Sequence, residues 1–210
     1  MSKQNQIRQP KLIIVEGNHE RDFFNAWLKT LKRTDIQVMS VGGKTTLRRN
    51  LKALIKQAAF PTVSHILVVR DAHENPSGAF QSVYDALKNA GLAAPNDVLT
   101  FTEGTTPQIA IVIVPGGDEL GALEELLLTA ASNDPLAGHA NQFIEDAIAT
   151  LNRTGTRRPP PPHRRGKAKI HVYLATFERP DRDAGKAALA GVWDFEHVSL
   201  ASIKNLLHKM

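Results

Sequence analysis

The chain has 210 residues, 42% of them hydrophobic and 22% charged, which is enough apolar material for one globular domain with a full core. It contains no cysteine, which excludes disulfides, thiolate metal sites and cysteine nucleophiles and fits a reducing compartment such as the cytoplasm. A formal charge of +5 permits nucleic-acid binding without requiring it, and no apolar run approaches the length of a membrane span.

The opening residues MSKQNQIRQPK are polar and basic, unlike a signal peptide or an anchor. Leu12 to Val15 then forms an apolar, β-branched run that ends on Glu16-Gly17. Such a run, too short for a helix, reads as a buried parallel strand. Asn18 is placed to cap a helix carrying Glu20 and Asp22 in its first turn, with Phe23, Trp27, Leu28 and Leu31 on one face. Acids there suit the helix dipole, although Glu20 also lies one turn beyond Glu16 and could share a ligand with it.

Ile36 to Val41 predicts a second strand, followed by Gly42-Gly43-Lys44-Thr45-Thr46 and a helix with Leu47, Leu51, Leu54 and Ile55 on one side. A Walker A motif would need glycine at position 38, where Val38 stands. The glycines are better read as a turn, or as a place where backbone amides and Lys44 approach a phosphate.

The most informative stretch is SHILVVRDAHEN, from Ser64 to Asn75. Its apolar run Ile66 to Val69 reads as a third buried strand, delivering Asp71, His73 and Glu74 to its carboxyl end. Ligands of open α/β sheets bind there. If this strand neighbours the first, Glu16 and Asp71 face one crevice, and two close carboxylates invite a divalent cation.

Asn75-Pro76 signals a turn into a helix with Phe80, Val83, Tyr84 and Leu87. Val98 to Thr102 and Ile109 to Val114 read as two strands of an edge hairpin around the loop Glu103 to Pro107. After Pro115-Gly116-Gly117-Asp118 comes a helix whose core stripe is Leu120, Leu123, Leu126 and Leu127, decorated by Glu119, Glu124 and Glu125. A further helix spans about Leu136 to Leu151, with Phe143, Ala147, Ile148 and Leu151.

Asn152 to Arg165 is rich in Pro and Arg, lacks apolar surface to bury, and predicts an extended basic loop, about 152–166. Arg157, Arg158, Arg164 and Arg165 are its candidates for phosphate contacts. Lys167 to Phe177 fits a helix better than a strand, Gly185 to Gly191 suggests a short Ala-rich helix, and Ser199 is placed to cap a last helix with Leu200, Ile203, Leu206 and Leu207 inward. There is no internal repeat, no HExxH, no Gly-x-Ser-x-Gly and no Rossmann fingerprint.

The motifs VEGNHE (Val15 to Glu20), DAHENP (Asp71 to Pro76), GALEE (Gly121 to Glu125) and KAKIH (Lys167 to His171) resemble those of the TOPRIM-like family called DUF3226. The order of strands, turns and helices is similar to the TOPRIM domain of topoisomerases, primases and OLD-type nucleases. The likeness runs from about Lys11 to the final helix. It implies an α/β fold with a mostly parallel, Rossmann-like central sheet: one domain over 1–210, with an α/β core at about 11–115 and a mainly helical extension at 116–210.

The resemblance also implies Mg²⁺ or Mn²⁺ held by Glu16, Glu20, Asp71, His73 and Glu124, with Lys167 or Lys169 stabilising a departing oxygen or a phosphate. Glu16, Asp71, Lys167 and Lys169 are thus the candidate catalytic residues. His73 stands where the family carries a second acid, and imidazole suits Mn²⁺ or Zn²⁺ better than Mg²⁺. The site could work with manganese, could use one metal with Glu74 turning in, or could have lost catalysis. The implied function is a metal-dependent nuclease or related phosphoryl-transfer enzyme on DNA or RNA, beside an ABC-class, OLD-like ATPase. The alternatives are a degenerate module that binds nucleic acid or a partner ATPase, and a P-loop nucleotide binder dependent on Lys44.

Overall fold

A computed structural model describes residues 6–41 and 46–210; Lys44 and the glycine turn before it lie outside the described residues. Four parallel strands, β1 (Lys11–Val15), β2 (Ile36–Ser40), β3 (His65–Asp71) and β4 (Gln108–Val114), form one sheet in the order β2-β1-β3-β4. Among the described residues, eight α-helices accompany them: α1 (Asn18–Thr30), α2 (Leu47–Leu54), α3 (Pro76–Asn89), α4 (Leu123–Ala130), α5 (Pro135–Thr154), α6 (Arg165–Leu174), α7 (Ala184–Leu189) and α8 (Ala201–Lys209).

The strand order decides where the helices go. From β1 the chain crosses outward to β2, whereas from β2 to β3 and from β3 to β4 it crosses in the opposite sense. Right-handed crossovers then require α1 on one face and α2 and α3 on the other. The core follows that rule. Ile13, Val15, Leu67, Val69, Ala110 and Val112 pack with α1 and α4 to α8, while Leu12, Ile14, Ile66, Val68, Ile109 and Ile111 pack with α2 and α3. Both faces being covered, the strands are continuously apolar, as expected for parallel strands. The connections diverge between β1 and β3, so the carboxyl ends that carry Glu16 and Asp71 lie at the topological switch point of the sheet.

Several sequence expectations are corrected. Val98 to Thr102 is not a strand. It runs beside β4 with the Leu99 amide on Ile111 and the Thr102 amide on Ile109, but Leu99 takes a φ of +60° and the Thr102 hydroxyl itself accepts the Ile109 amide. That irregular cover still blunts the outer edge of β4. Leu120 is 60% exposed because α4 starts only at Leu123, and Phe143 is 60% exposed while Ile144 turns inward. Asn18 and Ser199 do not cap. Gly17 precedes α1 without a side-chain cap, and Ser199 lies in a 3₁₀ turn, Val198–Leu200, ahead of α8. The Pro-rich stretch is shorter than 152–166, since α5 persists to Thr154, a 3₁₀ turn spans Pro162–Arg164 and α6 begins at Arg165. Lys167 to Leu174 is helical as expected.

The six-residue α7 docks on α1 through Gly185, where a Cβ would lie 2.6 Å from the His19 carbonyl oxygen. Gly185→Ala is therefore expected to destabilise the fold by about 1–3 kcal/mol through overpacking. Gly138→Ala, in α5 with no atom within 4 Å of the added carbon, is expected to stabilise by about 0.5–1 kcal/mol. Urea unfolding of the two variants separates these signs.

Candidate active site

Asp71 ends β3 on the side of Leu67 and Val69 and is 9% exposed. Its Oδ1 accepts the backbone amide of Leu123, the first residue of α4, at 3.2 Å. That contact answers a local need. The residue before α4 is Ala122, which has no side-chain acceptor for the free amides of a helix start, so a carboxylate arrives from the sheet 52 residues away. Burial, followed by the charges of Glu20, Glu16 and Glu124, pushes the Asp71 carboxyl well above the usual carboxylate range.

Glu20, in the first turn of α1, is pushed up chiefly by burial, with Glu124 adding repulsion. Its Oε2 is buried with no hydrogen-bond partner among the described residues. Glu16 follows β1 with the parity of Leu12 and Ile14, and so leans toward the α2 and α3 face. There its Oε1 lies 3.0 Å from Nε of Arg70, whose side chain is only 2% exposed. The two charges are in contact without hydrogen-bond alignment, and Nη1 of Arg70 has no partner among the described residues. Glu16 and Asp71 thus occupy adjacent strand ends and act on each other electrostatically, yet start from opposite faces.

A cleft of about 530 Å³ opens over Asp71 and is lined by His19, Glu20, His73, Glu74, Ala122, Glu124, His163, Arg164 and Lys167. Its shape depends on two cross-links. His73, with φ at +50°, exchanges two backbone hydrogen bonds with Gly121 at 2.6 and 2.8 Å, which ties the loop after β3 to the start of α4. Glu74 Oε1 lies 3.1 Å from Nδ1 of His163, which ties the same loop to the Pro-rich segment. His19 meets Asp183, the N-cap of α7, at 3.2 Å on the opposite rim.

The candidates thus separate. Glu20, Asp71, His73, Glu124, Arg164 and Lys167 share the cleft, whereas Glu16 is not among its lining residues and meets Arg70 instead. Lys169 does not line it. One residue pair further along α6, it forms a 2.7 Å ion pair with Glu145 of α5. Arg157 and Arg158 are exposed and outside the cleft lining, while Arg165 is half-buried with its Nε enclosed. Sequence reasoning passed over Arg70 and His163. Arg70 had a signal, because a charge inside a buried strand must find a partner; His163 had none.

The donor chemistry suits a hard divalent cation. Glu20, Glu16 and Glu124 repel Asp71, and Oε2 of Glu20 is buried without a hydrogen-bond partner among the described residues. Among the described residues, no group of three or more acidic or histidine side chains is placed so as to hold a metal ion.

Asp71, Glu20 and Glu125 all have carboxyls raised by burial, so the folded chain holds their protons more tightly than the unfolded one. Their contribution to stability is full below the ordinary carboxylate pKa of about 4 and is lost as pH rises through the raised folded values. In chelator, stability carried by this cluster is expected to decline from about pH 4 toward neutrality. Asp71→Asn retains an acceptor for the Leu123 amide and should flatten that decline, raising stability at pH 7 by on the order of 1 kcal/mol. Urea midpoints across the pH range measure it.

Similar chains among solved structures are all at low identity, 13–17%. The C-terminal region of the Burkholderia pseudomallei OLD protein is 17% identical with a TM-score of 0.45, covering 96% of this chain and 100% of the other. The C-terminal region of the Xanthomonas campestris pv. campestris OLD protein is 15% identical with a TM-score of 0.39, covering 96% and 98%. No curated protein matches the chain. Among the described residues, no helix is long and apolar enough to cross a membrane. A family match covers residues 10–210, nearly the whole chain, and on that evidence the chain belongs to DUF3226, described as a protein of unknown function.

Proposed function

We propose that this protein is a metal-dependent nuclease or related phosphoryl-transfer enzyme acting on DNA or RNA. The observation that carries the reading is one cleft, at the switch point of the sheet, with an acidic floor of Asp71, Glu20 and Glu124 and a cationic wall of Arg164 and Lys167. A polyphosphate backbone needs both: cations to hold its oxygens and carboxylates to hold a metal.

In this reading Asp71, Glu20 and Glu124 hold Mg²⁺ or Mn²⁺, with Glu16 meeting Arg70 outside the cleft lining. When bound, the ion supplies a nucleophile at neutral pH and neutralises charge on the phosphate. Arg164 and Lys167 orient the phosphate through charge-assisted hydrogen bonds. His73, in the same lining, favours Mn²⁺ over Mg²⁺. Burial of Asp71 excludes water from one side of the site and strengthens each of these charges. The resemblance to OLD-type nucleases extends the proposal to work beside an ABC-class ATPase, by analogy alone.

Incubation of plasmid and single-stranded substrates with Mg²⁺ or Mn²⁺ tests the activity. Asp71→Asn, Glu20→Gln and Glu124→Gln are each expected to lower cleavage by at least ~100-fold, on the scale of lost general acid–base or metal assistance. Cleavage that survives Asp71→Asn removes the proposal. A second reading, a binding module without chemistry, draws on His73 in place of an acid and on the absence, among the described residues, of three or more side chains placed so as to hold a metal ion. It predicts nucleic-acid binding with no metal-dependent cleavage.

The two readings share one expectation about salt. If Arg157, Arg158 and Arg164 each neutralise a phosphate, replacing all three with serine should reduce the slope of log affinity against log salt by roughly 2–3. Melting temperature should hardly move, because all three are exposed. Fluorescence anisotropy with a labelled oligonucleotide at 50–200 mM salt, a range of roughly that order, reads the slope.

A further inference from the structure

The motif GALEE, singled out in the sequence, meets Gly166, the residue just before KAKIH, at one carboxylate. Glu125, in the first turn of α4, turns back so that its Oε2 accepts the Ala122 amide at 2.8 Å. On its far side the carboxylate presses against the start of α6. A Cβ at Gly166 would lie 1.9 Å from Oε1, and a Cβ at Gly121 would lie 2.7 Å from Oε2. Both positions are therefore closed to any side chain while Glu125 stays where it is, and Gly121 further holds a φ of +128°.

Gly166 is the second residue of α6, so its amide has no acceptor within the helix. That amide favours the ionised form of Glu125, against the upward push of burial. The first turn of α6 contains no acid and carries Arg165 and Lys167, cations at the positive end of a helix, an arrangement disfavoured by the dipole. Glu125 supplies the missing negative charge. The residue after Gly166 is Lys167, which lines the cleft together with Glu124. The adjacent acids of GALEE thus divide: Glu124 faces the cleft and Glu125 lies behind it.

We propose that Glu125 is a positioning residue: by bracing the starts of α4 and α6 against each other through Gly121 and Gly166, it aims Lys167 into the cleft without touching substrate. What Lys167 contacts there rests on the proposed function. Where Lys167 points does not, so the test uses no substrate.

The lysines of the full chain are reductively ¹³C-methylated, and the Lys167 signal is assigned with Lys167→Arg. In Glu125→Gln the Lys167 signal is expected to shift away from its position in the parent protein, while that of Lys169, paired to Glu145, stays in place. Gly166→Ala should move Lys167 in the same way. A double-mutant cycle gives a second measurement: Gly166→Ala should be harmful in the parent and much less so beside Glu125→Ala, because the clash is with Glu125 itself. An unmoved Lys167 signal in folded Glu125→Gln overturns the proposal. So does additivity in the Gly166→Ala and Glu125→Ala cycle. Absence of nuclease activity would count against the proposed function and leave both readouts intact.

Discussion

A helix preceded by alanine needs an acceptor from somewhere else, and α4 takes it from the end of a strand. The hydrogen bond from the Leu123 amide to Asp71 is the point at which sheet, helix and cleft are joined. It sets where α4 starts, which places Glu124 in the cleft and Glu125 behind it. It also obliges a carboxylate to stay buried beside Glu20, Glu16 and Glu124, a cluster whose repulsion is held in place by the packing around it. Such stored repulsion favours a proton or a cation at the site.

Arg70 balances the cluster from the other face. Burial of an unpaired guanidinium inside a sheet would be prohibitive, and its contact with Glu16 turns one acid of the group away from the cleft. The first-strand glutamate is therefore partly neutralised within the protein, while Asp71 and Glu20 are not. On the opposite rim, the basic segment is not free. Glu74 and His163 tie it to the loop after β3, and α6 packs Ile170, Tyr173 and Leu174 into the core. Only the exposed stretch carrying Arg157 and Arg158 retains the character expected of a solvated loop.

Much of the architecture was legible because it depends on short-range patterns. β-branched runs such as Leu12 to Val15 and Ile66 to Val69 permit little besides a buried strand. The stripe of the last helix, Leu200, Ile203, Leu206 and Leu207, is wholly buried as its spacing implied. Errors arose where tertiary contacts outweigh local preference. Val98 to Thr102 has strand composition, but a side-chain hydroxyl and a left-handed residue take the place of regular pairing. Phe143 has the right hydrophobicity and the wrong side of α5, whose buried residues Ala137, Ala140, Ile144 and Ile148 recur at helical spacing through the neighbouring position.

The sequence by itself determined the four apolar strands but not that Val98 to Thr102 would fail to join them as a hairpin, and it determined the acids at two strand ends and the basic, proline-rich interruption, because apolar periodicity and turn chemistry act over a few residues. Only the tertiary structure decided which charges meet. Arg70 with Glu16, Asp71 with Leu123, Glu74 with His163 and Glu125 with Gly166 are pairs separated by 41 to 89 positions, counting along the chain from Glu125 to Gly166 and from Glu74 to His163. No local pattern encodes such pairs. They follow from the order β2-β1-β3-β4, which brings the ends of β1 and β3 together and lets α4 and α6 close over them.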